Sequence, residues 1–224
     1  MLVRLSGQTA AMLVVLGAIL FGAAGSWRWT EAWLFLMLIG LLSVGTGVWL
    51  TRRDPALLES LLSSPFAADQ ARGDRTLIVM IGLGFCLWLG VMGLDRRFAW
   101  SAVPLVVEAI GAMVLLIGFA GVLWTFAANS FAAPQIRLQA ERGQRVIDTG
   151  PYAFVRHPMY AGGAVYLLGM ALLLGSWWGV LGAALLIVTF GLRAIGEEAM
   201  LRKGLAGYED YARRVRYRLL PGVW

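Results

Sequence analysis

Five apolar stretches separated by polar breaks dominate the chain, near residues 8–26, 31–50, 76–94, 101–128 and 159–192. Each of the first four is about long enough for one membrane crossing, because a helix needs roughly 20 residues to span the hydrocarbon. The stretch 101–128 is somewhat long and is expected to tilt or to extend beyond the bilayer. The fifth stretch breaks at Gly175-Ser176-Trp177-Trp178. As one helix it would measure about 50 Å at 1.5 Å per residue, against a hydrocarbon core of about 30 Å. Two shorter helices joined at the Gly-Ser step fit better, as a hairpin returning the chain to its starting side. Neither arm is comfortably long, so burial against the other helices is expected.

Two long polar segments separate these runs. Thr51–Arg75 carries Asp54-Pro55, Ser63-Ser64-Pro65 and Gly73-Asp74, all loop punctuation. Its middle, Ala56–Leu62, reads as an interfacial helical turn. Asn129–Arg156 carries Pro134, Gly143, Gly150 and Pro151, with Arg145-Val146-Ile147-Asp148 as a short extended piece. Gly196–Val215 reads as an amphipathic helix interrupted near Gly204 and Gly207. The expected fold class is therefore all-α, a polytopic membrane protein of about five to six transmembrane helices with a C-terminal cytoplasmic amphipathic helix. N-terminal spans fill 1–128, and a second region, 129–224, contains the hairpin.

Composition agrees with that pattern. Of the 224 residues 59% are hydrophobic, where a soluble domain averages about 45–50% apolar. Arg4 and the run after it have the look of a signal peptide. A second long apolar run follows soon after Ala23–Trp27, so the first segment is read as a retained span. The net charge of +6 comes from 18 arginines and one lysine, Lys203. With the N-terminus inside and a hairpin at 159–192, 16 of these 19 fall inside and only Arg28, Arg96 and Arg97 outside. Such an asymmetry sets orientation in membrane proteins, so it argues for cytoplasmic termini and not for nucleic-acid contact. The lone Cys86 and lone His157 exclude an internal disulfide and offer no metal cluster.

The candidate chemistry lies at the inside face. Thr149–Gly163 reads TGPYAFVRHPMYAGG and crowds Arg156, His157 and Tyr160 against the start of the fifth apolar stretch. Ionisable groups at that depth are costly and mark functional candidates. A second group is Arg193 with Glu197 and Glu198. On a helix Arg193 and Glu197 share a face, while Glu198 points elsewhere. A third is Tyr208, Tyr211 and the arginines that follow. Carboxylates suit an amine or cation, and guanidinium forks suit a carboxylate. A bland account exists for each: interfacial anchoring for Arg-His, a solvated face for Glu-Glu, close helix packing for Gly162.

GPYAFVRHPMYAGG, the GSWW break, RAIGEEAML and GYEDYARRV, in that order and spacing, resemble the isoprenylcysteine carboxyl methyltransferase superfamily, to which phospholipid N-methyltransferases are related. The resemblance covers Val146–Pro221, about a third of the chain. It implies a helical integral membrane methyltransferase using S-adenosyl-L-methionine, without a glycine-rich nucleotide fingerprint. The superfamily's histidine motif falls on Arg156, His157, Pro158, Tyr160 and Gly162, its paired acids on Glu197 and Glu198, and the preceding arginine on Arg193. The resemblance implies that Gly150, Tyr152, His157, Tyr160, Gly162, Glu197 and Glu198 enclose the cofactor. It also implies that Arg156 and Arg193 face the acceptor or the cofactor carboxylate, with His157 a candidate base. The implied partners are membrane lipids and a lipophilic or small acceptor. O-methylation of an isoprenylcysteine-like carboxylate, N-methylation of a phospholipid amine and S-methylation of a small thiol stay open. So does a membrane binding or transport protein with a relic site, although no repeat of broken helices is visible. The Arg-rich, Lys-poor composition points to a high-GC bacterium and its inner membrane.

Overall fold

The computed structural model describes residues 1–63, 72–132, 139 and 142–224. The loop residues Ser64, Pro65, Pro134 and Arg137 lie outside the described residues. Among the described residues eight α-helices follow in order: α1 Leu2–Ala24, α2 Thr30–Arg53, α3 Pro55–Leu62, α4 Arg72–Phe98, α5 Leu105–Ala128, α6 Pro158–Leu173, α7 Trp177–Gly204 and α8 Tyr208–Arg214. A 3₁₀ turn, Gly150–Ala153, precedes α6. Among the described residues there is no strand, and Arg145–Asp148, expected as a short extended piece, is irregular coil. Among the described residues five helical segments are long and apolar enough to cross a membrane: Leu2–Ala24, Thr30–Arg53, Ile78–Phe98, Leu105–Ala128 and Trp177–Gly204. The protein is a polytopic helical membrane protein.

Local chemistry sets the boundaries. Gly25, at φ 65°, ends α1 in a left-handed cap, its N–H donating to Phe21 O. Asp54 terminates α2 and caps α3, its side chain accepting from Leu57 N at 3.0 Å, with Pro55 at the first helical position. Ser176 caps α7 by accepting from Gly179 N at 2.8 Å.

Three expected boundaries move. The Gly73-Asp74 loop signal lies inside α4, which starts at Arg72. The hairpin arms are unequal, 16 residues in α6 and 28 in α7, or about 24 and 42 Å. The interruption expected near Gly204 and Gly207 in the Gly196–Val215 segment is present, but the segment does not start as a separate element at Gly196. Its first half is the end of α7 and its second half is α8, with Gly207 at φ 80° between them. α7 runs through Gly196 because one glycine within a long, otherwise good helix costs only about 1 kcal/mol.

Helices in lipid gain little from hydrophobic association, so close packing carries the fold. The tightest pair is α5 against α6. A Cβ on Gly118 would lie 2.3 Å from Tyr166 N, and one on Gly169 would lie 2.2 Å from Leu115 N. Around this pair Leu20, Phe35, Leu89, Met92 and Met170 are fully buried. At one end of the bundle Asp95 accepts from Ser101 N and Ser101 Oγ, each at 2.7 Å, and from Ser176 Oγ. That knot ties the end of α4 to the α6–α7 turn. At the other end Arg53 Nη2 donates to Ala127 O at 3.4 Å. There the C-termini of α2, α5 and α7 and the N-terminus of α6 collect the polar groups of the Thr149–Gly163 run.

Candidate active site

The approach to α6 is built to deliver two side chains inward. Gly150, at φ 60°, turns the chain into the 3₁₀ segment. The backbone then extends, and the N–H groups of Arg156 and His157 donate to Tyr217 O and Arg218 O, each at 2.9 Å. This pairing pins the C-terminal tail beside the start of α6. His157 occupies the N-cap position and Pro158 the first helical turn. α7 passes alongside and presents Glu197 and Glu198 on successive positions.

The two carboxylates straddle the imidazole. His157 Nδ1 lies 3.8 Å from Glu197 Oε2, and Nε2 lies 3.3 Å from Glu198 Oε1. Glu198 stands on a different face of α7 from Glu197, as its spacing predicts, yet the imidazole reaches both. A helix advances about 100° per residue, and His157 sits between the two directions. Tyr160 donates its hydroxyl to Glu197 Oε2 at 2.8 Å. Its ring stacks on His157 and on Phe190, each at 5.6 Å between centroids.

Glu198 is the hub. It is buried, accepts from Arg156 Nε at 2.7 Å, and has Arg218 Nε at 3.2 Å without hydrogen-bond alignment. Arg156 is equally committed. Its Nη1 donates to the carbonyls of Ala212 at 3.3 Å, Val215 at 2.9 Å and Arg216 at 3.0 Å, at and just beyond the C-terminus of α8. Carbonyls at a helix end lack intrahelical donors and favour a cation. Arg156 was expected to offer a fork to the acceptor or the cofactor. Its Nε and Nη1 tie α8 and the tail to α7, and the residue also borders a polar cleft.

A polar cleft opens beside this network, lined by Asn129, Gln144, Tyr152, Arg156, His157, Tyr160, Glu197 and Tyr208 among others. Its free volume is about 80 Å³, room for a few waters. Glu197 keeps 29% of its side chain exposed while Glu198 keeps 4%, so Glu197 is the acid that opens to the cleft. Asn129 Nδ2 donates to Tyr152 Oη at 2.8 Å, and Tyr211 Oη donates to Tyr152 O at 3.0 Å. Burial above all pushes the Tyr208 and Tyr211 phenols up, with the Glu198 carboxylate next for Tyr208. Both stay protonated donors at neutral pH.

Four sequence candidates stand outside the cleft lining. Gly162 sits where α6 meets α5, a Cβ there falling 2.9 Å from Gly118 O. It packs helices there and borders the apolar groove. Gly150 rests on the end of α5, its Cβ position 3.0 Å from Ala128 Cβ. Arg193 is buried one turn before Glu197, and Glu198 lies behind the wall. Asn129 and Gln144 went unmarked, since lone amides in an aperiodic loop carry no sequence signal.

An apolar groove runs along the opposite side of the α6 start, bounded by Gly118, Gly121, Trp124, Phe154, Gly162 and Leu219. Pro158 borders both groove and cleft.

An all-helical membrane bundle with a charged cleft at one end and an apolar groove against it defines the class: a polytopic membrane protein with a polar cleft beside a lipid-facing surface. Residues 106–206, from the start of α5 through the end of α7, match the family described as phospholipid methyltransferase. The matched family lies within the integral membrane methyltransferase superfamily, and the similarity supports a membrane methyltransferase. A curated relative, the nickel-cobalt-cadmium resistance protein NccN of Alcaligenes xylosoxydans xylosoxydans, is 28% identical over 109 residues, 47% of this chain and 49% of the relative. The match spans about half the length of that protein.

Proposed function

We propose that the protein transfers a methyl group from S-adenosylmethionine to a lipophilic or small acceptor at the polar end of the bundle, with that end and both termini cytoplasmic. The observation that carries the reading is His157 held between Glu197 and Glu198 beside the cleft, inside the segment that matches the family. The residues suit the cofactor chemically. Glu197 offers a partly exposed carboxylate to an ammonium group. At about 80 Å³ the cleft must widen to admit a nucleoside-sized molecule.

The bound cofactor would supply an activated methyl group, so the chain's task is alignment and exclusion of water. Tyr160 fixes Glu197 by its 2.8 Å hydrogen bond. Glu198, Arg156 and Arg218 hold His157 and the tail in place. Where the acceptor is an amine or thiol, His157 Nδ1, 3.8 Å from Glu197, is the atom placed to hold the released proton. Arg193, buried deeper on α7, is assigned to a carboxylate of acceptor or cofactor. The apolar groove across Pro158 would seat the acceptor's hydrocarbon part. Isoprenylcysteine-like carboxylates, phospholipid amines and small thiols are the acceptor classes to assay.

Calorimetry of the detergent-solubilised protein with S-adenosylmethionine and S-adenosylhomocysteine tests the reading. Binding of either supports it, and binding of neither refutes it. Reporter fusions after Trp224 and within 95–100 should report opposite sides, the former cytoplasmic.

A further inference from the structure

Four tyrosines stand around the cleft, and three of their hydroxyls are engaged. Tyr160 donates to Glu197, Tyr211 donates to Tyr152 O, and Tyr152 accepts from Asn129. Tyr208 differs. It lines the cleft, is 4% exposed, and its hydroxyl has no hydrogen-bond partner among the described residues. Gly207, at φ 80°, and the start of α8 set its direction, and the Tyr211 ring packs edge-on against it at 5.7 Å. The ring is thus held while its polar tip goes unused. Buried polar groups are nearly always satisfied, and an exception within a site calls for an explanation.

We infer that Tyr208 is a ligand-binding residue whose hydroxyl donates a hydrogen bond to an oxygen or nitrogen acceptor atom of the bound S-adenosyl cofactor. This rests on the methyltransferase reading above. The phenol stays protonated, so the contact is a neutral donor persisting across the neutral pH range. It adds to the charge contacts assigned to Glu197 and discriminates by the position of an acceptor atom instead of by charge.

The test compares Tyr208→Phe with Tyr211→Phe, measuring S-adenosylhomocysteine affinity by calorimetry and unfolding temperature without ligand. Tyr208→Phe should weaken binding about three- to tenfold, the worth of one neutral hydrogen bond, with an unfolding temperature equal to or above wild type. Tyr211→Phe, which loses a bond within the protein, should lower the unfolding temperature. Wild-type affinity in Tyr208→Phe overturns the inference and leaves the methyltransferase reading standing. So does a lower unfolding temperature with unchanged affinity, because the hydroxyl would then serve the fold. Absence of binding by the wild-type protein overturns both.

Discussion

Arg156 is the residue whose removal should harm the fold most. Its guanidinium and the Glu198 carboxylate are 7% and 3% exposed as residues, and they meet at 2.7 Å. Truncating one member of such a buried pair leaves the other charge uncompensated, at a loss of about 3–5 kcal/mol. Arg156→Ala also frees three carbonyls at the end of α8. Residual contacts from His157 and Arg218 to Glu198 keep the loss near the lower end of that range. For a protein of this length each kcal/mol moves the midpoint by about 2–4 °C, so a fall of roughly 6–12 °C is expected. Arg156→Lys keeps the charge, but one ammonium cannot serve Glu198 and three carbonyls together. It should lie between Ala and wild type. The assay is thermal unfolding of the ligand-free protein in detergent, with a double-mutant cycle against Glu198→Leu. The paired change should be less harmful than the two single losses summed. An Arg156→Ala midpoint within about 2 °C of wild type, smaller than one kcal/mol predicts, would refute the assignment of Arg156 to the fold.

Glu197→Gln should behave in the opposite way, weakening S-adenosylhomocysteine binding about ten- to a hundredfold, the worth of one charge-assisted hydrogen bond. The midpoint should barely move, since this side chain is 29% exposed; unchanged affinity by calorimetry would count against its ligand role. Asp95→Ala, at the far end of the bundle, strips the acceptor from Ser101 and Ser176 and should destabilise by about 1.5–3 kcal/mol without altering ligand affinity. A midpoint equal to wild type would show that the knot does not hold the α6–α7 turn.

The helices were readable because each apolar run is long and bounded by recognisable caps: Gly25, Asp54-Pro55 and Ser176 appear in the sequence where the helices stop or start. The extent of α7 was not. Hydropathy marks where lipid-facing residues end, near residue 192, but a helix continues for as long as its backbone bonds are made. The polar turns from Arg193 to Gly204 look like a separate element to any reading based on hydropathy. Because α7 runs through them, Glu197 and Glu198 stand on the same rigid rod as the apolar arm. Their position is then fixed by the packing of that arm against α4 and α6 and not by a loop.

The membership of the site was legible as a set of residues and illegible as a set of directions. Arg156, His157, Tyr160, Glu197 and Glu198 were recognisable from residue type and spacing, and all five meet in one network. Which acid faces the ligand depends on the helical phase of α7 against His157. Sequence spacing on α7 alone cannot supply that phase, because the imidazole arrives from a different element. The same holds for Arg156. Its residue type suits an anionic ligand, but the carbonyls that occupy it belong to a tail 56–60 positions away. Gly162 shows the converse, a motif position occupied by the meeting of α5 and α6. Long-range contacts thus sort motif residues into those that present chemistry and those that hold it in place. In this bundle the tail, through Arg156 and Arg218, belongs to the second group even though its arginines are the most conspicuous charges in the sequence.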